Sequence, residues 1–387
     1  MGIKLLHGPH QTEIPLLDKI REWETAIYIA LGDRDGQPQI CLDHPVPRRL
    51  TACGGAASST VTASSTASSA AASAAAEGGQ TFKVGIVNYV DHASLNQIVE
   101  SVESRLDELG AEKGVTFDYA DYYANAQADQ SNLNQIGADL VGDGVDVIVA
   151  VATPTAATML AAVEDTDIPV VYSAVTDPAA AGFDGEENIT GTSDALNTEA
   201  IMNLITAVNP DIDTIGLLYD LSQDASTQAI ADAKAFCDAN GIKYIEKNGT
   251  TTAEVQMAAE ALIASGDKAV FTPTDNTVMT AELSIYETFT EAGVQHYTGA
   301  DSFALNGAFV GYGVDYVQLG EATADMVAEL LCEGKTTADL PYQTFDNGIV
   351  TINTETCEAL GLDLDTVKKA FKPYCTEIVV VTTQENF

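Results

Sequence analysis

The chain has 387 residues, and 57 acidic against 17 basic side chains give it a formal net charge of −40. Hydrophobic residues make up 46%, enough for packed cores in two or three domain-sized units. The charge excludes a phosphate backbone as partner, which needs a basic stripe, and equally an anionic lipid surface. No apolar run reaches the roughly 18–20 residues of a membrane span.

Residues 1–52 are mixed and polar, with 6 basic and 7 acidic side chains and no clear period. Residues 53–80 are almost wholly Ala, Ser, Thr and Gly. So few large apolar groups cannot offset the entropy of ordering, so this stretch reads as a flexible tether. At its start stands Leu50-Thr51-Ala52-Cys53. An aliphatic residue, two small ones and a Cys resemble a bacterial lipobox, which makes Cys53 the expected lipidation site. The segment before it lacks the apolar core of a signal peptide, about 7–15 residues long; Pro45-Val46-Pro47-Arg48-Arg49 stands there instead. Either those first residues come from a wrong start upstream of a true lipoprotein, the preferred reading, or Cys53 is an ordinary thiol. The cysteines show no C-x-x-C and no zinc-like spacing; Cys357 and Cys375 are the two that could pair, with isolated buried thiols the plainer reading.

Regular patterning starts at Phe82. Val84 to Val87 form a short buried strand. Leu95, Ile98, Val99, Val102, Leu106 and Leu109 then share one helical face, with Gly110 as its expected C-cap. Val115, Phe117 and Tyr119 alternate as a strand. Ser131 is placed as the cap of a helix bearing Leu133, Ile136, Leu140 and Val141. Val145 to Ala152 reads as a central parallel strand buried on both faces. Pro169 to Val175 and Ile189 to Gly191 follow as strands. The pattern then restarts, with a helix through Ile201, Leu204, Ile205 and Val208 that stops at Asn209-Pro210. Strands at Ile215–Tyr219, Lys243–Glu246, Ala269–Thr272 and Tyr297–Gly299 alternate with helices from Ser226, Ala253 and Thr277. Phe309 to Val314 and a helix from Gln318 to Leu331 come last before the tail. This predicts an α/β protein of two doubly wound, parallel-sheet lobes. Open parallel sheets take ligands outside the carboxyl ends of their strands, so two facing lobes make a cleft.

The loops at those strand ends hold the candidate residues. In the first lobe they are Asn88, Tyr89 and His92; Thr153, Pro154 and Thr155; Ser173, Val175, Thr176 and Asp177; and Thr192, Ser193 and Asp194. In the second lobe they are Tyr219, Thr274, Asp275, Asn276 and Asp301. Thr153-Pro154-Thr155 opens a helix, and free N–H groups plus hydroxyls there suit a carboxylate without any Arg; a plain N-cap is the competing reading. Beyond Cys53 the sole Arg is Arg105, in mid-helix. Asp275 and Asp301 suit an ammonium group, or else cap helices and turns. Tyr89, Tyr219 and Tyr312 are placed to wall an apolar ligand side chain. His92 follows Asp91, but no nucleophile lies near, so no catalytic residue is assigned. No nucleotide, flavin, metal or hydrolase motif occurs, so no cofactor and no metal site are expected.

These residues resemble a known family. Val84 to His92, Asp129 to Ile136, Ala152 to Ala156, Ser173 to Pro178, Gly191 to Asp194 and Pro273 to Thr277 are similar to the ABC-transporter substrate-binding proteins that include tryptophan- and tyrosine-type binding lipoproteins. The resemblance runs in order over about 300 residues, and residues 1–49 stand outside it. It implies the type I periplasmic-binding-protein fold, with three crossovers forming a hinge. By that analogy lobe 1 covers 81–194 plus 308–336, and lobe 2 covers 195–307 plus 337–387. It further implies a monomer on the extracytoplasmic face of the membrane, held by lipid on Cys53. Such a protein binds an amino-acid-like solute, aromatic by preference, and hands it to an ABC permease with its ATPase. Nucleic acid is not among the expected partners. A ligand-sensing domain of a regulator shares the fold, but residues 1–49 show no helix-turn-helix pattern. An enzyme on a two-lobed α/β scaffold is the other rival, since fold alone does not fix function.

Overall fold

The computed structural model describes residues 79–346 and 348–384. Cys53, its lipobox and the tether lie outside the described residues.

The first sheet is built from β1 (Thr81–Asn88), β2 (Thr116–Asp118), β3 (Tyr123–Asn125), β4 (Val147–Val151), β5 (Val170–Ser173) and β6 (Ile189–Ser193). All of them pair in parallel, and β2 and β3 both run along the outer edge of β1. Between them come α1 (Ala93–Lys113), α2 (Gln130–Asp143) and α3 (Thr153–Ala162). Every residue of β4 is buried, as its continuous apolar run requires of a strand covered on both faces. The register sets Asn88, Val151, Ser173 and Thr192 in one row across the sheet. That row ends the strands at one level, with β1 and β4 flanking the point where strand order reverses.

The second sheet repeats the plan. Its parallel part is β7 (Thr214–Tyr219), β8 (Lys243–Asn248), β9 (Ala269–Thr272), β10 (Gln295–Thr298) and β11 (Val310–Gly313). The helices are α4 (Thr198–Val208), α5 (Asp224–Asn240), α6 (Thr252–Ser265), α7 (Asn276–Glu291) and the five-residue α8 (Asp301–Leu305). The reversal of strand order falls between β7 and β9, which places the ends of those strands at the ligand-binding edge.

The rest of the chain stitches the lobes together. Helix α9 (Tyr316–Glu333) returns to the first lobe and packs along α1. The approach is close because residue 320 is Gly: a Cβ there would lie 2.7 Å from the Ile98 carbonyl oxygen. Arg105 Nε donates to Asp325 at 2.9 Å and Lys113 reaches Glu333 at 3.0 Å along the same seam. The short strand β12 (Gln343–Thr344) then pairs with β6. Strand β13 (Ile349–Asn353) crosses back, antiparallel to β11, and after α10 (Thr354–Ala359) and α11 (Leu364–Phe371) the last strand β14 (Glu377–Val381) lies beside it. The chain therefore passes between the sheets three times, near 194–197, 314–315 and 345–348.

Three expectations shift. Val310–Gly313 is paired to β10 and β13 in the second sheet, so the second crossing follows Gly313, whereas the resemblance put 308–336 in lobe 1. Helix α1 runs past Gly110 and ends on Gly114, whose φ of 70° gives the left-handed cap; Gly110 is buried inside the helix. Asp129, not Ser131, caps α2, its carboxylate accepting from the Asn132 N–H at 2.9 Å.

Candidate functional site

The carboxyl ends of the two sheets enclose a cleft lined from both sides. The first lobe supplies His92, Ser94, Leu95, Ala152, Thr153, Ala174, Thr176, Asp194 and Tyr316; the second supplies Ala225, Thr274, Asp275, Asn276, Met279, Ala300, Ser302 and Phe303. Ala152 and Ala174, at the ends of neighbouring strands, hold positive φ values of 78° and 56°. Such conformations cost a non-glycine residue of order 1–3 kcal/mol and persist where surrounding structure enforces them. They bend the chain sharply off β4 and β5, which starts α3 directly at the cleft.

The two sides differ in electrical character. On the first lobe, α1 and α3 open at the cleft with no side chain capping either. Pro154 sits in the first turn of α3, so the N–H groups offered there are those of Thr153 and Thr155. Uncapped helix starts carry partial positive charge and attract anions. On the second lobe, α7 is fully capped. Asp275 Oδ1 accepts from the Thr277 and Val278 N–H groups, each at 3.0 Å. Its Oδ2 accepts from the Asp220 N–H and the Ser226 hydroxyl, each at 2.7 Å. Burial still pushes the Asp275 carboxyl up to about 6, with those hydrogen bonds pulling against it.

Asp194 stands in a leaner environment. It lies at the end of β6, 4% exposed, and the Thr176 hydroxyl donates to it at 3.0 Å. Burial pushes its carboxyl up to about 7. Among the described residues no Lys or Arg lines the cleft, so none of them offsets an ionised Asp194. Asp301 is partly buried, and desolvation displaces its carboxyl upward. The Ser94 hydroxyl donates to it across the cleft at 2.8 Å, and the nearby Tyr316 phenol is pushed up chiefly by burial. The second bridge between lobes joins His92 Nε2 to Asn276 Oδ1 at 3.1 Å. Burial holds His92 down near 4, so its imidazole is neutral at physiological pH.

Residues 83–371 match the family described as ABC transporter substrate binding protein. The chain belongs to that family. It is 29% identical over 286 residues to the tyrosine-binding protein of Clostridioides difficile, covering 72% of this chain and 81% of that one. A Streptococcus pneumoniae ABC domain solved in complex with L-Trp aligns at 27% identity and a TM-score of 0.69, over 78% of this chain and all of that one. A Vibrio cholerae conserved domain protein aligns at 31% identity and a TM-score of 0.68, over 77% of this chain and all of that one. The two-lobed architecture is that of type I periplasmic binding proteins, and the molecule is a substrate-binding protein of an ABC transporter.

In this substrate-binding protein, seven of the residues expected from sequence line the cleft: His92, Thr153, Thr176, Asp194, Thr274, Asp275 and Asn276. The others are placed around it. Asn88 is buried beneath, its side chain donating to Asn96, and Tyr89 is half-buried. Thr155 is buried in the first turn of α3, beside Pro154. Ser173 and Thr192 turn away from the cleft and join the Thr323 hydroxyl on α9, at 3.0 and 2.9 Å. Val175 is packed in the first-lobe core. Asp177 caps a turn at Ala180, and Ser193 donates to the Thr176 carbonyl. Tyr219 donates to Glu246 on β8, and Tyr312 lines a different groove beside Asp346 and Gly348. The ring that walls the cleft from the second lobe is instead Phe303, with Tyr316 facing it from the start of α9. Sequence reading missed both, together with Ser94 and Met279. Phe303 rides on α8, too short for a periodic signal, while Asp315, which caps α9, was the readable pointer to Tyr316.

Proposed function

We propose that this protein binds an amino acid with an aromatic side chain in the cleft and delivers it to the permease of an ABC importer. In this reading the ligand carboxylate meets the uncapped starts of α1 and α3 and the Thr153 hydroxyl. The ammonium group pairs with Asp194, with Asp301 close by across the Ser94 bridge. The side chain lies among Leu95, Met279, Phe303 and Tyr316. The observation that carries the reading is Asp194: a buried carboxylate in the same cleft as two uncapped helix starts, with no Lys or Arg among the described lining residues. The Trp-bound and tyrosine-binding relatives support the ligand class.

Substrate-binding proteins of ABC importers work on the extracytoplasmic side, and the reading places this one there as a monomer. The strongly acidic body gives no electrostatic hold on an anionic membrane. Anchoring falls to a lipid on Cys53, with residues 53–80 as the tether. Mass spectrometry of the protein from its native membrane tests the anchor: an unmodified Cys53 behind an intact residue 1 removes it. Calorimetric titration with L-tyrosine and L-tryptophan tests the ligand: saturable binding is expected, and no heat with either at about 1 mM, the scale of −4 kcal/mol, sinks the reading.

A further inference from the structure

Two described residues of the cleft, His92 and Ser302, have a buried polar atom without a partner, and the His92 ring carries the more specific signal. His92 Nδ1 is shielded from solvent and has no hydrogen-bond partner, although the residue lines the cavity. The other ring nitrogen shows why Nδ1 is an acceptor. Asn276 Nδ2 donates to Gln223 Oε1 at 3.3 Å, which leaves Asn276 Oδ1 as the atom facing His92. An amide oxygen only accepts, so the imidazole proton sits on Nε2, 3.1 Å away. The relay from His92 through Asn276 to Gln223 therefore has one polarity, and its His92–Asn276 link crosses between the lobes. Among the described residues no hydrogen-bond donor meets the His92 end.

We propose that His92 Nδ1 accepts a hydrogen bond from the bound ligand and thereby selects for a donor-bearing molecule. The assignment rests on the amino-acid reading above, in which two donors are available: the ammonium group, or a phenol O–H or indole N–H on the ring. An unpaired buried acceptor is costly and a paired one is not, so a ligand that fills it gains affinity over one that cannot. The relay also ties that gain to lobe closure, since Asn276 and Gln223 belong to the opposite lobe.

The test uses the full chain, the His92→Phe and Asn276→Leu variants, and calorimetry with four probes: L-tyrosine, L-tryptophan, L-phenylalanine and 3-(4-hydroxyphenyl)propionate. Removing the acceptor lowers affinity about tenfold for ligands that carry the donor. If the donor is on the ring, L-phenylalanine is unaffected by His92→Phe while the phenols fall. If it is the ammonium, all three amino acids fall together and the propionate does not. Asn276→Leu shows the same pattern more weakly, because Nε2–H loses the partner that fixes the tautomer. Should His92→Phe not fold, the 15N resonance of His92 Nδ1 gives the answer in the unaltered protein: it shifts on saturation with the tightest probe. Wild-type affinity of folded His92→Phe for all four probes, or an unmoved Nδ1 resonance, overturns the assignment alone. Failure of the unaltered protein to bind any probe overturns the amino-acid reading, and this assignment with it.

Discussion

Ser94 and Asp301 stand on opposite lobes, and the Ser94 hydroxyl donates to Asp301 Oδ1 at 2.8 Å. Ser94 is buried and Asp301 partly so, so the bond is made in a poorly solvated place where an unpaired carboxylate is expensive. It therefore favours the closed arrangement seen here. Ser94→Ala is expected to shift the population toward open molecules, since closure is set by the difference in contacts between the two states. Small-angle X-ray scattering on the ligand-free variant should report a larger radius of gyration than the unaltered protein. An identical radius would show that closure does not lean on this bond.

Asp275→Ala is expected to act on stability first. Four donors converge on that carboxylate, two of them the cap of α7. Losing a cap costs about 1 kcal/mol, and stranding the buried Asp220 N–H and Ser226 hydroxyl adds about 1–3 kcal/mol. Urea unfolding should show a lower midpoint at unchanged slope. This departs from the expectation that Asp275 meets a ligand ammonium, which a fully bonded carboxylate has little capacity to do.

Ser173→Ala should likewise leave ligand affinity unchanged while costing about 1 kcal/mol of stability. Its hydroxyl is spent on Thr192 and Thr323 in the layer between β5 and α9. Calorimetry and urea unfolding on the same preparation separate the two effects.

Gly320→Val should loosen the first lobe. A Cβ at this position meets the Ile98 carbonyl oxygen at 2.7 Å and Ser101 Cβ at 2.8 Å, so α9 must back away from α1. Overpacking of this kind costs about 1–3 kcal/mol. Thermal unfolding should begin at a lower temperature, and Gly320→Ala should fall between the two proteins.

The sequence was most legible where physics leaves one solution. A continuous apolar run such as Val147–Val151 admits little besides a strand buried on both faces, and Asn209-Pro210 cannot continue a helix. Both lobes, their strand ends and hence the cleft follow from such signals. The last strand was opaque because β14 is half-exposed, with Val380 at 44%, and lacks the pattern of either face. Side-chain direction at the strand ends was opaque for another reason. Ser173 and Thr176 look alike in sequence, but Ser173 turns to Thr323, 150 residues away, and nothing local announces that partner. The roles of Asp275 and Asp194 separate in the same way: one is saturated by donors from α5 and β7's end, the other meets Thr176.

Asp194 offers the most direct measurement of the account. Its carboxyl is raised from 3.8 to about 7, so in the empty protein its ionisation opposes folding: stability contributed by the protonated form is lost as pH rises through about 7. Under the proposed function, the ionised form is the one that pairs with a ligand ammonium. Asp194→Asn keeps the shape and removes the charge. The account predicts opposite effects at pH 8: a higher melting temperature than the unaltered empty protein, and at least tenfold weaker binding of L-tyrosine or L-tryptophan by calorimetry. The melting difference should shrink toward pH 5, and the affinity of the unaltered protein should fall as pH drops through about 7. An Asp194→Asn protein that binds these amino acids as tightly as the unaltered one, at pH 8, contradicts it.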